Sequence, residues 1–104
     1  MDGSTREQVT GALYRAVDQV NRQLPREKRL EKSLDVALVG ARARLDSLGL
    51  LNFLALTEQA LEEEFSRPVS LIDDDELSEG APLESIAALV EFIVTRLEAA
   101  PDAR

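Results

Sequence analysis

Three stretches of this chain place apolar residues at three- and four-residue steps, and none alternates them in twos, which restricts the fold to helices packed on one another. In the first, Val9, Leu13, Ala16, Val17, Val20 and Leu24 mark one stripe. Ser4-Thr5-Arg6-Glu7 ahead of it has the form of a capping box, and Pro25 stops the run, so the pattern predicts a helix over about 4–24. Tyr14 lies off this stripe, and Gly11 weakens the helix by up to about 1 kcal/mol relative to Ala. The second helix opens at Asp46-Ser47 and runs over 47–65, because Arg67-Pro68 cannot easily extend it. At 1.5 Å per residue it is roughly 28 Å long. Asp73-Asp74-Asp75-Glu76-Leu77 allows a short helix over about 73–78. The last helix is predicted over about 82–98, with Pro82 in its first turn and Ile86, Leu89, Val90, Ile93 and Leu97 on one face. The expected fold is all-α, a single domain over residues 1–104 built as a small bundle of three main helices and one short one.

Residues 25–46 form a long connection for so small a domain. They open on Arg26-Glu27-Lys28-Arg29-Leu30-Glu31-Lys32 and continue through Leu34, Val36, Leu38 and Val39 to Gly40. The apolar members are expected to lay the loop across the bundle, with room for one helical turn.

The chain has 104 residues and neither Cys nor His. Triads, thiol nucleophiles, imidazole acid-base catalysis and Cys/His zinc sites are therefore excluded, and an enzyme would work with carboxylates, Lys, Arg, Tyr14 and hydroxyls alone. No disulfide supports the fold, which suits a reducing compartment. No run of about 18 apolar residues is present and Met1-Asp2-Gly3-Ser4 is not a secretory start, so a soluble, cytoplasmic protein without a membrane span is expected. The net charge of −8 is unevenly placed. Residues 1–44 carry nine basic and six acidic groups, and residues 45–104 carry three basic and fourteen acidic groups. The acidic half repels a phosphate backbone and attracts basic protein surfaces, which argues against nucleic acid and for protein docking.

Plotted at 100° per residue, the central helix turns Leu50, Phe53, Leu54, Thr57, Ala60, Leu61 and Phe65 to one side. The other side carries Leu48, Leu51, Asn52, Ala55, Gln59, Glu62 and Glu63. Apolar residues at the start of a solvent face, followed by acids, suggest a docking strip. Glu62, Glu63 and Glu64 also oppose the helix macrodipole at its C-terminal end, by about 0.3–1 kcal/mol each. Ser47 stands at the other pole, where free backbone N–H groups favour a phosphate attached to its hydroxyl. Asp46 works against that charge, and Arg42 or Arg44 could offset it. The plain reading of Asp46-Ser47 is a helix cap.

Asp46-Ser47-Leu48 at the end of a long loop, opening an acidic helix that closes Leu61-Glu62-Glu63-Glu64-Phe65, resembles the acyl carrier protein family over about residues 4–97. The resemblance implies that Ser47 carries a covalent 4′-phosphopantetheine arm. A phosphopantetheinyl transferase would attach it from coenzyme A with magnesium, and its thiol would hold acyl groups as thioesters. It also implies that Asp46 and Leu48 help partners dock, and that Leu51, Ala55, Glu62 and Glu63 meet basic or apolar partner surfaces. Those partners are the transferase, an acyl-loading ligase or transferase, and a downstream synthase or acyltransferase. The chain itself is then a non-catalytic carrier, expected as a monomer.

Arg44-Leu45 stands where the family often has glycine before the motif, and Gly49 replaces a commonly polar residue. The central helix is about one turn longer than in ordinary fatty-acid carriers. These departures point to a specialised stand-alone carrier in polyketide, peptide or modified-lipid biosynthesis. Leu50, Phe53, Leu54, Ile72, Ile86 and Leu89 could yield to an acyl chain, although packing alone accounts for each. The alternative is a cofactor-free helical adaptor that binds partners through its acidic face. Asp73-Asp74-Asp75 does not make a calcium loop, since Leu77 and Ser78 stand where an oxygen ligand and a glycine are needed.

Overall fold

The computed structural model describes residues 3–66, 68–69, 71 and 81–99. Helix α1 spans Gly3–Asn21, α2 spans Ser47–Phe65 and α3 spans Ile86–Ala99. Arg26–Lys28 and Ala81–Leu83 form single 3₁₀ turns, and the described residues contain no strand. The protein is a small all-helical bundle in which α1 packs against both α2 and α3.

The expected stripe on α1 is buried at Val9, Leu13, Ala16, Val17 and Val20, with Ala12 added. It meets Phe53, Leu54, Thr57, Ala60 and Leu61 of α2 and Ile86, Leu89, Val90, Ile93 and Val94 of α3 in one core. Thr57 is fully buried, and its hydroxyl donates to the Phe53 carbonyl at 2.9 Å, so no polar atom is stranded there. Tyr14, Leu50, Phe65 and Leu97 pack at the core's margin.

The α1 boundaries differ from those expected over 4–24. The helix starts at Gly3, which puts Ser4 inside the first turn rather than at its cap, and it ends at Asn21. The next N–H groups, of Arg22, Gln23 and Leu24, donate three residues back, to Gln19, Val20 and Asn21. The last turn thus tightens before Pro25 and leaves Leu24 half-buried outside the helix. The Asn21 carboxamide binds Leu30 through both its N–H and its carbonyl, at 2.8 and 2.9 Å. Leu30 and Leu38 are buried, so the long loop does lie across the bundle, and its helical turn is Arg26–Lys28.

The last helix begins at Ile86, not near Pro82. Pro82 sits within the 3₁₀ turn Ala81–Leu83, and Ser85 caps α3 by accepting the Ala88 N–H at 3.1 Å. The loop completes that cap. Ile86 and Ala87 donate to the carbonyls of Val36 and Leu34, each at 2.9 Å, so the orphan donors of α3 hold the long connection in place. Helix α2 has the predicted bounds. It ends on Ser66 in the left-handed region, φ 59° and ψ 32°, whose N–H returns to the Glu62 carbonyl. Beyond it, the Glu58 carboxylate accepts the Leu71 N–H. The short helix expected over 73–78, with Ile72 and the Asp73–Asp75 run, lies outside the described residues. Among the described residues no helix is long and apolar enough to cross a membrane.

Candidate functional site

Asp46 is the N-cap of α2. Its backbone is extended, and its Oδ1 accepts the Gly49 N–H at 2.7 Å while its carbonyl accepts the Leu50 N–H at 2.8 Å. The cap makes a close approach at Gly49, where an added Cβ would lie 3.2 Å from both Asp46 Oδ1 and Leu45 Cδ2. A side chain at position 49 would push the capping carboxylate aside. Gly49 therefore serves the geometry just ahead of Ser47.

Ser47 is the first residue of α2 and is exposed, and its hydroxyl makes no hydrogen bond among the described residues. The backbone N–H groups of this first turn face away from the helix body and are open to an anion, apart from the one Asp46 occupies. On one side of the cap is a hollow of about 280 Å³ lined by Lys28, Arg44, Leu45 and Asp46. Arg44 is held there by the loop, donating to the carbonyls of Glu27 at 3.1 Å and Arg29 at 3.5 Å. Arg42 and Arg44 both line a neighbouring hollow with Glu31 and Asp35, and of the two only Arg44 also lines the one beside Asp46. Gly40, at φ 95°, makes the turn that brings this segment round, and the Ala43 N–H closes it on the Gly40 carbonyl at 3.1 Å.

The outer side of α2 is laid out as its periodicity predicts. Leu48 is 75% exposed and Leu51 46%, and Ala55, Gln59, Glu62 and Glu63 continue the exposed strip to the helix end. Glu64 turns away from it. Its carboxylate accepts from Arg15 and from Gln8 of α1, both at 3.2 Å, and Arg15 also reaches the Ala60 carbonyl at 3.4 Å. Packing between α1 and α2 thus accounts for Glu64 and leaves Glu62 and Glu63 facing solvent.

Adjoining the hollow of Lys28 and Arg44 at Leu24, Asp46 and Gly49 runs an apolar groove of about 700 Å³ between the end of α1 and the first half of α2. Val20 and Leu24 form one wall, and Leu48, Leu51 and Ala55 form the other. Asn52 Nδ2 donates to Gln23 Oε1 at 2.9 Å and ties the two walls together. The periodicity puts Leu48, Leu51 and Ala55 on an outward strip but not in a groove, because the approach of Val20 and Leu24 to that strip is set by tertiary packing. Among the described residues no group of three or more carboxylates converges to hold a metal ion. No family model, curated protein or solved structure matches the chain.

Proposed function

We propose that the chain is an acyl carrier protein in which Ser47 receives a 4′-phosphopantetheine arm from coenzyme A through a phosphopantetheinyl transferase. When bound, the arm supplies a thiol that holds acyl groups as thioesters, the sulfur chemistry a cysteine-free chain lacks. The observation that carries this reading is the position of Ser47: an exposed residue, the first of α2, at the head of the strip Leu48, Leu51, Ala55, Glu62 and Glu63.

The residues present fit the group. The helix pole and the free N–H groups of the first turn favour a phosphodiester on Ser47 Oγ. One Asp46 oxygen is engaged by Gly49, and Lys28 and Arg44 line the hollow beside Asp46, on the side from which they could approach a phosphodiester. Leu48 and Leu51 offer apolar contact to a partner, and Glu62 and Glu63 offer charge to a basic surface. The partners are the transferase, a loading ligase or transferase, and a downstream synthase or acyltransferase. Such a role goes with a monomer in the cytoplasm serving polyketide, peptide or modified-lipid biosynthesis.

Intact-protein mass spectrometry tests it, after incubation with coenzyme A, magnesium and a broad-specificity transferase, with a known carrier modified in parallel. One phosphopantetheine adduct on the wild type and none on Ser47→Ala is the expected result. No adduct on folded wild type would overturn the reading in favour of a cofactor-free adaptor working through the acidic face.

A further inference from the structure

We propose that the two limbs of the connection between α1 and α2 form a basic docking surface, centred on Lys28, Arg29, Arg42 and Arg44, for an acidic surface segment of a partner protein. The surface is separate from the acidic strip of α2 and does not depend on whether Ser47 carries an arm.

Residues 22–46 hold seven basic and four acidic groups in a chain of net charge −8. The basic residues of the N-terminal half fall into two sets. Arg6, Arg15 and Lys32 are each in an ion pair, with Glu91, Glu64 and Asp18. Lys28, Arg29, Arg42 and Arg44 are exposed and, among the described residues, take part in none. Ion pairing inside the fold therefore accounts for the first set and not for the second. The loop gathers that second set, since Lys28 and Arg44 line one hollow and Arg42 and Arg44 line the next. Two of its guanidinium groups are also pre-set. Arg44 Nη1 donates to the carbonyls of Glu27 and Arg29, and Arg29 Nε donates to the Leu24 carbonyl at 3.2 Å. Each keeps further N–H groups for a partner, with part of the ordering already done by the loop.

The pattern of charge selects a protein. Glu27, Glu31, Asp35 and Asp46 are exposed among these cations. With the chain's net charge, they repel the continuous negative charge of a duplex or an anionic membrane, whereas spaced carboxylates on a protein can meet the cations and avoid the acids. Arginine suits such a partner, because its fork takes a carboxylate through two N–H groups. The acidic end of α2 does not cancel the surface. Asp46 stands at the edge of the surface, and Glu62 lies sixteen residues on, about 24 Å by helix rise or about three screening lengths at physiological ionic strength. A second copy is disfavoured. Its acidic strip would have to meet this surface head to tail, in a contact that does not close, between two molecules of net charge −8.

The experiment titrates the full chain at low salt with a synthetic peptide of alternating Glu and Ser, and with its Gln counterpart, while backbone amide spectra are recorded. The acidic peptide is expected to shift the amides of Lys28, Arg29, Arg42 and Arg44, and the Gln peptide to shift none of them. Arg42→Glu, at an exposed position, should weaken binding about fivefold or more. Arg44→Lys keeps the charge but loses the pre-set fork, so it should weaken binding too, whereas Arg22→Lys should leave it unchanged. The dispersion of each variant's spectrum reports that it is folded. No shift with the acidic peptide, equal shifts with the Gln peptide, or unchanged affinity in Arg42→Glu would overturn the proposal. Tighter binding to phosphatidylserine vesicles or to a DNA duplex than to the peptide would overturn the protein partner. Sedimentation showing dimers of the chain alone, dispersed by Arg42→Glu, would overturn it in favour of a second copy. Arm addition tests the carrier reading separately, and Ser47→Ala should bind the acidic peptide as the wild type does.

Discussion

Asn21, the last residue of α1, holds Leu30 by both of its backbone polar groups, accepting its N–H at 2.8 Å and donating to its carbonyl at 2.9 Å. One side chain thereby stands in for a strand partner and fixes the point where the loop turns back over the bundle. The fixed segment includes Leu30 in the core and leads to the carbonyls of Leu34 and Val36 that cap α3. Asn21→Ala should cost about 2 kcal/mol, two net hydrogen bonds at a half-buried site whose backbone groups are left without partners. Asn21→Asp should not rescue it, because an oxygen then faces the Leu30 carbonyl. Urea unfolding with an unchanged m-value and a lowered midpoint, together with faster exchange of the Leu30 amide, is the expected record.

Glu62, Glu63 and Glu64 are equivalent in sequence and not in structure. Glu64 is tied to Arg15 and Gln8, while Glu62 and Glu63 are exposed. Glu64→Lys loses the pair and sets two cations together, and relief of the macrodipole offsets part of that, so stability should fall by less than about 1 kcal/mol. Glu62→Lys and Glu63→Lys should leave stability within about 0.5 kcal/mol of wild type or raise it slightly, because each relieves the macrodipole. On the carrier reading, the same two changes slow transferase turnover several-fold at low salt, through weaker encounter, and the difference shrinks as salt is added. Equal turnover by wild type and the double variant at low salt would count against the acidic strip as a docking surface.

These contrasts mark what could be read in advance. The core stripe of α1 and both faces of α2 were legible because each depends on local periodicity, and the α2 bounds because Asp46 and Pro68 carry their own local signals. The end of α1 and the start of α3 were misplaced for one reason. In each case a proline, Pro25 or Pro82, gives the local signal, while the helix boundary is fixed nearby, by the tightened turn of residues 22–24 and by the Ser85 cap. The capping of α3 by Val36 and Leu34 uses carbonyls, which every residue has, so no residue type announces it. At the candidate site, the position of Ser47 was legible and the groove was not, because Val20 and Leu24 approach α2 only through tertiary packing.

Arg6 of α1 and Glu91 of α3 form a two-pronged pair, Nε to Oε2 at 2.8 Å and Nη2 to Oε1 at 2.6 Å. The hydrogen bonds from Arg6, and then its charge, hold the Glu91 carboxyl below the usual glutamate range, and Glu91 in turn raises Arg6. A carboxyl lowered in the folded state contributes stability that is present above its unfolded value and is lost as pH falls through its folded value. The raised arginine contributes below its unfolded value and loses that contribution only at pH beyond the ordinary arginine range. Wild type should therefore lose stability relative to Arg6→Met as pH falls below the ordinary glutamate range, the two curves converging in acid. Both partners are exposed, so high salt should shrink the gap at neutral pH. Parallel curves from neutral pH to acid would show that the pair adds nothing to stability.

Gly11 and Gly49 both lie within helices, and alanine at the two positions should give opposite results. At Gly11 a Cβ meets only Arg15 Nη1, at 4.0 Å, so Gly11→Ala should gain about 1 kcal/mol from helix propensity. At Gly49 the same propensity gain is set against displacement of Asp46, whose capping bond is worth about 1 kcal/mol. The net effect on stability should be near zero or unfavourable. For a chain of this size a 1 kcal/mol difference moves the thermal midpoint by about 4–8 °C, well within measurement. The site supplies a second readout. Gly49→Ala moves the residue beside Ser47 and should slow arm addition by the transferase, whereas Gly11→Ala, on the far helix, should leave it unchanged. Equal stabilisation by both substitutions, with equal rates of arm addition, would mean that the Asp46 cap does not depend on Gly49.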